Sequence, residues 1–294
     1  AACITALSTT ITSHAQIIST IAGTGTASYG GDGGAATAAQ LRNPADVAID
    51  GTGNIYIADW NNQRLSKIST SGTITTIAGT GGTTFAGDGG PATAATLYQP
   101  ASIAIDGSGN IYVTDNLHRR IRKIDGAGNI STFAGNGTSA YAGDGGPATA
   151  ASLANPRGIT FDALGNLYIA DADNNRIRKV DVSGNISTVA GNGSFGFSGD
   201  GAAATSAKLN GPKDVAVDAA GNIYIADDGN HRIRMVNTSG VISTYAGTGS
   251  TGTSGDGGPA TAAATGYCGN ICIDTYGNLF ISTDNYVRKV NSAG

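Results

Sequence analysis

The fold class this chain predicts is all-β: a propeller of four-stranded antiparallel blades, with three observations behind it. Gly-Asp-Gly recurs with its aspartate at Asp32, Asp88, Asp144, Asp200 and Asp256, a constant step of 56 residues. Asp-x-x-Gly-Asn recurs in the same step, opening at Asp50, Asp106, Asp162, Asp218 and Asp274. Between these marks each unit holds four short apolar segments parted by turn residues. A small sheet repeated at fixed period must cover its faces with its neighbours, and a ring of blades does this with few exposed edges. Five units therefore predict five blades, in a single domain over residues 16–294.

In the first unit the strands are expected at residues 47–50, 54–59, 64–68 and 73–78. Asp50-Gly-Thr-Gly-Asn54 joins the first pair and Asp59-Trp-Asn-Asn-Gln-Arg64 the second; glycine supplies positive φ there, and Asp and Asn bond their own backbone. Ile55 and Ile57 on one face of the second strand, and Tyr56 and Ala58 on the other, require cover on both sides. The connection from Ala78 to Pro100 reads as a structured inter-blade loop, with Asp88 capping one helical turn through Ala95 and Leu97 packing back on the blade. Its glycines match neither phosphate-binding fingerprint. The last unit reaches only its third strand, while Ile17-Ile-Ser-Thr-Ile-Ala-Gly23 matches the fourth strand Val241-Ile-Ser-Thr-Tyr-Ala-Gly247. The N-terminal strand is thus expected to close the last blade; six blades follow instead if the chain is truncated.

Composition narrows the chemistry. The 21 acidic residues are all aspartate, so no glutamate can serve as general acid or metal ligand. A net charge of −4, with most basic residues confined to one repeated strand, speaks against nucleic acid as a partner. No apolar run is long enough for a membrane-spanning helix.

Pro-Arg-Gly-Ile-Thr-Phe-Asp162, Gly-Asn-Leu-Tyr-Ile-Ala-Asp171 and Asn-Asn-Arg-Ile-Arg-Lys-Val180 resemble NHL-repeat propellers, and the resemblance runs over nearly everything from Gln16 onward. It implies the propeller fold. It leaves activity open, because the family includes RNA-binding, protein-binding, scaffold and lyase members, often with six blades.

Residues 1–15 match no repeat position. Ser13 and Ala15 before Gln16 suggest the remnant of a secretory signal peptide; the other reading is an N-terminal arm. The expected location is secreted, extracellular or cell-surface. Of three cysteines, Cys272 stands where other units have alanine and is expected to be a small buried residue, and a Cys3–Cys268 bridge is the alternative to free thiols.

A residue found in every unit serves the unit, whereas a site must break the symmetry. Asp59 and Arg64, Asp115 and Arg120, Asp171 and Arg176, and Asp227 and Arg232 flank the second turn and are expected to form structural ion pairs. The aspartates at the first turn read as turn-closing residues rather than calcium ligands. The inner strands open on Asp46, Ser102, Gly158, Asp214 and Asn270. Of these Asp46, Ser102, Asp214 and Asn270 form an uneven polar ring at the channel mouth, able to hold a polar ligand or a divalent cation; otherwise no cofactor is expected. On the face carrying the long loops, Trp60, Tyr98, His118, Arg119, Arg157, Lys213 and Tyr267 interrupt the pattern and are candidate contacts for a protein or glycan. No catalytic residue is assigned. The expected function is a non-enzymatic binding or scaffold module, within a larger surface protein or assembly; the alternative is a metal-assisted lyase or hydrolase. The last unit breaks the pattern most, with Thr283 for the repeated Asp and Cys268 for the proline of Pro212.

Overall fold

The computed structural model describes residues 18–292. Five antiparallel sheets follow one another around a central channel, making a five-bladed β-propeller. Blade 1 holds β1 (Pro44–Ile49), β2 (Ile55–Asp59), β3 (Arg64–Ile68) and β4 (Ile74–Ala78), and blade 2 holds β5 (Pro100–Ile105), β6 (Ile111–Asp115), β7 (Arg120–Ile124) and β8 (Ile130–Ala134). Blade 3 holds β9 (Pro156–Phe161), β10 (Leu167–Asp171), β11 (Arg176–Val180) and β12 (Ile186–Ala190). Blade 4 holds β13 (Asp214–Val217), β14 (Ile223–Asp227), β15 (Arg232–Val236) and β16 (Ile242–Ala246), and blade 5 holds β17 (Ile271–Ile273), β18 (Leu279–Thr283) and β19 (Tyr286–Val290).

Each sheet is a meander whose register follows from its turns. Asp50 Oδ1 accepts from the backbone N–H groups of Thr52 and Asn54, both at 2.9 Å, while Oδ2 accepts from the Asn54 side chain at 2.8 Å and the Tyr56 hydroxyl at 3.0 Å. The Asn54 amide, the largest influence, holds Asp50 well below the usual carboxylate range. The same set recurs around Asp106, Asp162 and Asp218. These carboxylates spend their oxygens on their own turns.

The core lies between blades. Tyr56, Ala58, Leu65 and Ala78 pack with Ile103, Ile111, Val113 and Ile124 of the next blade, and fully buried Leu97 of the long loop completes the layer. The same positions repeat between blades 2 and 3, 3 and 4, and 4 and 5. Removing one such leucine from water stabilises by about 2 kcal/mol. The chain leaves each fourth strand through a glycine: at Gly79, φ is 93° and a Cβ would collide with the Gln63 carbonyl.

Four expectations fail here. Among the described residues no strand adds to β19, so residues 18–23 do not complete blade 5. Gly23 N–H donates to Ala36 O at 3.0 Å and Thr24 N–H to Ala39 O at 2.9 Å, which anchors this segment to blade 1. Asp88 does not cap the turn of Ala92–Ala94, which has no side-chain cap; its carboxylate is taken by Arg122 and Thr132. Cys268 is a buried free thiol in the layer between blades 4 and 5, so no bridge joins it to Cys3, which lies outside the described residues. Cys272 is exposed rather than buried, because blade 1 does not cover that side of β17 as blades 2 to 4 are covered. The signal or arm assigned to residues 1–15 likewise lies outside the described residues.

Candidate functional site

The start of each inner strand pairs with the end of the second strand, Pro44 with Asp59 and Pro156 with Asp171, so the channel mouth, the second turns and the long loops share one face. The inner strands are stitched there blade to blade. Asp46 Oδ2 accepts from Ile103 N–H at 2.8 Å, Ser102 Oγ from Ile159 N–H at 3.3 Å, and Asp214 Oδ2 from Ile271 N–H at 2.7 Å. Gly158 N–H donates to Lys213 O at 3.0 Å instead. The Asp214 carboxylate occupies the space that a Cβ on residue 158 would need, so this inner strand has to carry glycine.

Burial raises Asp46, and it pushes Asp214 up to about 7, with the Asp46 charge adding to the effect. Both carboxylates face a channel cavity of about 470 Å³ that Ser102 and Asn270 also line. The structure thus brings the predicted ring together.

Above it, residues from all five blades make a smaller pocket of about 90 Å³, lined by Trp60, Ser102, Arg157, Gly158, Lys213 and Asn270. The Arg157 guanidinium lies 5.4 Å from the Trp60 ring centroid, a cation–π contact across the mouth from blade 3 to blade 1. Lys213 Nζ is held 3.0 Å from Asp228 Oδ2. Among the described residues no carboxylate lies within ion-pair distance of Arg157.

The remaining predicted contacts stand apart from this pocket. His118 is buried, with Nδ1 2.9 Å from Asp115 Oδ2 and Nε2 2.9 Å from Thr83 O. With these two contacts His118 braces the loop where Asn62, Asn174 and Asn230 do so in other blades. Tyr98 packs edge-on against it with centroids 5.7 Å apart. Arg119 occupies the left-handed turn position with φ 56°, matching Gln63, Asn175 and His231. Tyr267 is 51% exposed and leans on His231.

The expected ion pairs form with a different arginine. Register sets Asp115 opposite Arg120, Asp171 opposite Arg176 and Asp227 opposite Arg232, yet the bridges run to Arg122 (3.1 Å), Arg178 (3.2 Å) and Arg234 (3.4 Å). Those arginines are fully buried and cannot do without a counter-charge. Arg64, Arg120, Arg176 and Arg232 reach backbone carbonyls instead and stack on Tyr29, Phe85, Tyr141 and Phe197. Asp59 has Ser66 where the others have the buried arginine, and bonds Asn62 and Arg42 N–H. The signal was present in the second Arg of Arg-Ile-Arg, missing only from the unit that has serine there.

With this geometry established, the chain can be set beside known proteins. The Teneurin NHL domain family matches four successive stretches, residues 17–86, 82–142, 136–198 and 195–254. Teneurin-1 of Mus musculus is 32% identical over 241 residues, covering 71% of this chain and 8% of the relative, and Teneurin-3 of Mus musculus is 35% identical over 236 residues, covering 70% and 8%. The chain therefore matches less than a tenth of the length of these curated relatives. Among solved structures, an auxiliary nutrient binding protein from Bacteroides thetaiotaomicron superposes with a TM-score of 0.61 at 18% identity, over 84% of this chain and 58% of that one. Virginiamycin B lyase from Staphylococcus aureus does so with a TM-score of 0.53 at 16% identity, over 85% and 67%. At such identities the structural likeness speaks for the fold alone. Four consecutive family matches, together spanning residues 17–254, place the chain in the Teneurin NHL domain family.

Proposed function

We propose that this propeller is an extracellular, non-enzymatic binding and scaffold module that takes a carboxylate-bearing protein segment at the channel mouth. One observation carries the reading: Arg157 sits over Trp60 at the rim of a polar pocket with no carboxylate of its own within ion-pair distance among the described residues. A guanidinium so placed has a free fork for a carboxylate, and an indole beside it supplies apolar contact. Membership of the teneurin NHL family supports a module inside a larger protein. The test is binding to an array of acidic, neutral and basic peptides. Trp60→Ala with Arg157→Ala is expected to weaken acidic binding at least about tenfold while leaving the unfolding midpoint unchanged; equal binding by both proteins overturns the reading.

An enzymatic reading, a lyase or hydrolase with a divalent cation between Asp46 and Asp214, has in its favour two carboxylates facing one cavity. The donor set suits a cation poorly. All four oxygens already accept backbone N–H groups, Asp46 from Val47 and Ile103 and Asp214 from Val215 and Ile271, and no third His, Cys or Asp joins them among the described residues. Stoichiometric divalent metal in protein purified from its native host, lost on Asp214→Asn, would restore it.

A further inference from the structure

Three of the four joints between successive blades are stitched on the mouth face by the left-handed residue of the second turn. Gln63 Oε1 accepts from Gln99 N–H at 2.6 Å, Asn175 Oδ1 accepts from Gly211 N–H at 2.9 Å, and His231 Nδ1 lies 3.1 Å from Gly266 O. The joint between blades 2 and 3 is made differently. Arg119 holds the turn position there and reaches only the Leu117 carbonyl of its own turn, at 3.5 Å.

Two other residues of blade 2 make the stitch instead. Thr114 Oγ1 donates to Arg157 O at 2.7 Å, and Asn116 Nδ2 donates to Asn155 Oδ1 at 2.7 Å and to Pro156 O at 2.8 Å. Asn155 Nδ2 in turn donates to Asp173 Oδ1 at 2.9 Å. Three consecutive residues of blade 3 are thus tied to blade 2 through side chains that are at most 1% exposed. Both side chains break the repeat. Thr114 stands where the other blades have Ala58, Ala170, Ala226 and Ser282, and Asn116 where they have Trp60, Ala172, Asp228 and Asp284. Ser282 bonds Asn270 of its own blade.

A buried polar side chain has to find its hydrogen-bond partners, and here those partners are the carbonyls at a bulge. Strand β9 pairs with β10 at Ile159–Ile169 and at Pro156–Asp171, which leaves Arg157 and Gly158 together opposite Ala170. A bulge re-aims the side chain it carries, and this one carries Arg157 over the Trp60 ring. Blade 4 shows what happens without such an arrangement. Lys213, the counterpart of Arg157, is closed by Asp228 of its own blade, whereas blade 3 has Ala172 at that place and offers Arg157 no acid.

We propose that Thr114 and Asn116 are the positioning residues of the channel-mouth site, setting its preference for acidic segments by holding the Arg157 main chain where the guanidinium lies over Trp60 with its fork open. This rests on the reading of the mouth as a carboxylate site. Without the two contacts the bulge is free to turn, and Arg157 leaves the indole.

Trp60 is the only tryptophan in the chain, so its fluorescence reports on the Arg157 contact directly. A guanidinium beside the indole concentrates the anionic quencher iodide there, so iodide quenching is expected to fall at least about twofold in Arg157→Ala. It should fall as far in Thr114→Val combined with Asn116→Ala, and part of the way in Thr114→Val alone, which preserves the fold because the side chain keeps its shape. Thr114→Ser retains the hydroxyl and should quench as the unsubstituted chain does, and neutral acrylamide should show no fall in any variant. Affinity for acidic peptides is expected to follow the same order, with a loss of about tenfold in the double variant and none in Thr114→Ser. Unchanged iodide quenching in Thr114→Val and the double variant, beside a fall in Arg157→Ala, overturns the proposal. So does unchanged quenching in Arg157→Ala, since there would be no contact to position. If quenching falls as expected while acidic, neutral and basic peptides bind every variant alike, the positioning role stands and the carboxylate reading of the mouth falls.

Discussion

Blades 3 and 5 descend through the same strands and turns but treat one arginine in opposite ways. Arg178 in blade 3 is fully buried, bonds Asp171 on the inside at 3.2 Å and Asp144 in the loop at 2.5 Å, and has its guanidinium 4.9 Å from the Tyr141 centroid. Arg288 in blade 5 keeps the loop aspartate, Asp256, and the carbonyls of Ala264 and Ser254. Thr283 stands where the inner aspartate would be, and Thr253 where the aromatic would be. Arg288 accordingly keeps 13% of its side chain in solvent, and its partner Asp256 is 87% exposed. A guanidinium is taken fully inside this fold only where two carboxylates and an aromatic face receive it together.

The sharpest way to break that comparison is to remove both arginines. Arg178→Ala abandons a buried Asp171 and is expected to lose about 3–5 kcal/mol in chemical denaturation, whereas Arg288→Ala loses under about 1 kcal/mol because its partner stays in water. Equal losses would mean that burial of the pair is not what matters.

The joint between the regular blades and blade 5 carries a smaller, pH-dependent effect. Asp214 binds its proton more tightly folded, with its pKa raised by burial from 3.8 to about 7, so its contribution is full below 3.8 and is lost as pH rises through about 7. Across that window Asp214→Asn should flatten the loss of stability by on the order of 2 kcal/mol; an unchanged slope would place the titration elsewhere. The smallest effect expected is that of His118→Asn, which installs in blade 2 what Asn62, Asn174 and Asn230 already do, and should shift stability by less than about 1 kcal/mol. A large loss would show that blade 2 depends on the imidazole ring itself.

The period of 56 and the turn chemistry made the blades legible, because Asp-x-x-Gly-Asn dictates a local backbone and needs no distant partner. The channel ring was legible for a similar reason, since equivalent positions in a closed repeat must meet at the axis. Partner choice was not. Asp115 has Arg120 opposite and Arg122 two residues further along the same face, and only three-dimensional burial decides between them. His118 misled because a polar residue that breaks the repeat need not be at the surface; here it replaces an asparagine inside the turn. The Trp60–Arg157 contact joins blades 1 and 3 across the mouth, a pairing that no spacing along the chain reveals.

The fit of the Asp214 carboxylate into the place of a missing Cβ at Gly158 has a consequence for the order of the blades. Units of equal length look interchangeable, and recombination between them could shuffle, delete or duplicate them without disturbing any strand. Blades 3 and 4 are an exception. The aspartate on one is admitted only by the glycine on the other, so they must be inherited as neighbours and in this sequence, and a rearrangement that parted them would set a side chain against a buried carboxylate. One absent carbon atom thus gives an otherwise repetitive ring a fixed address from which its blades can be counted.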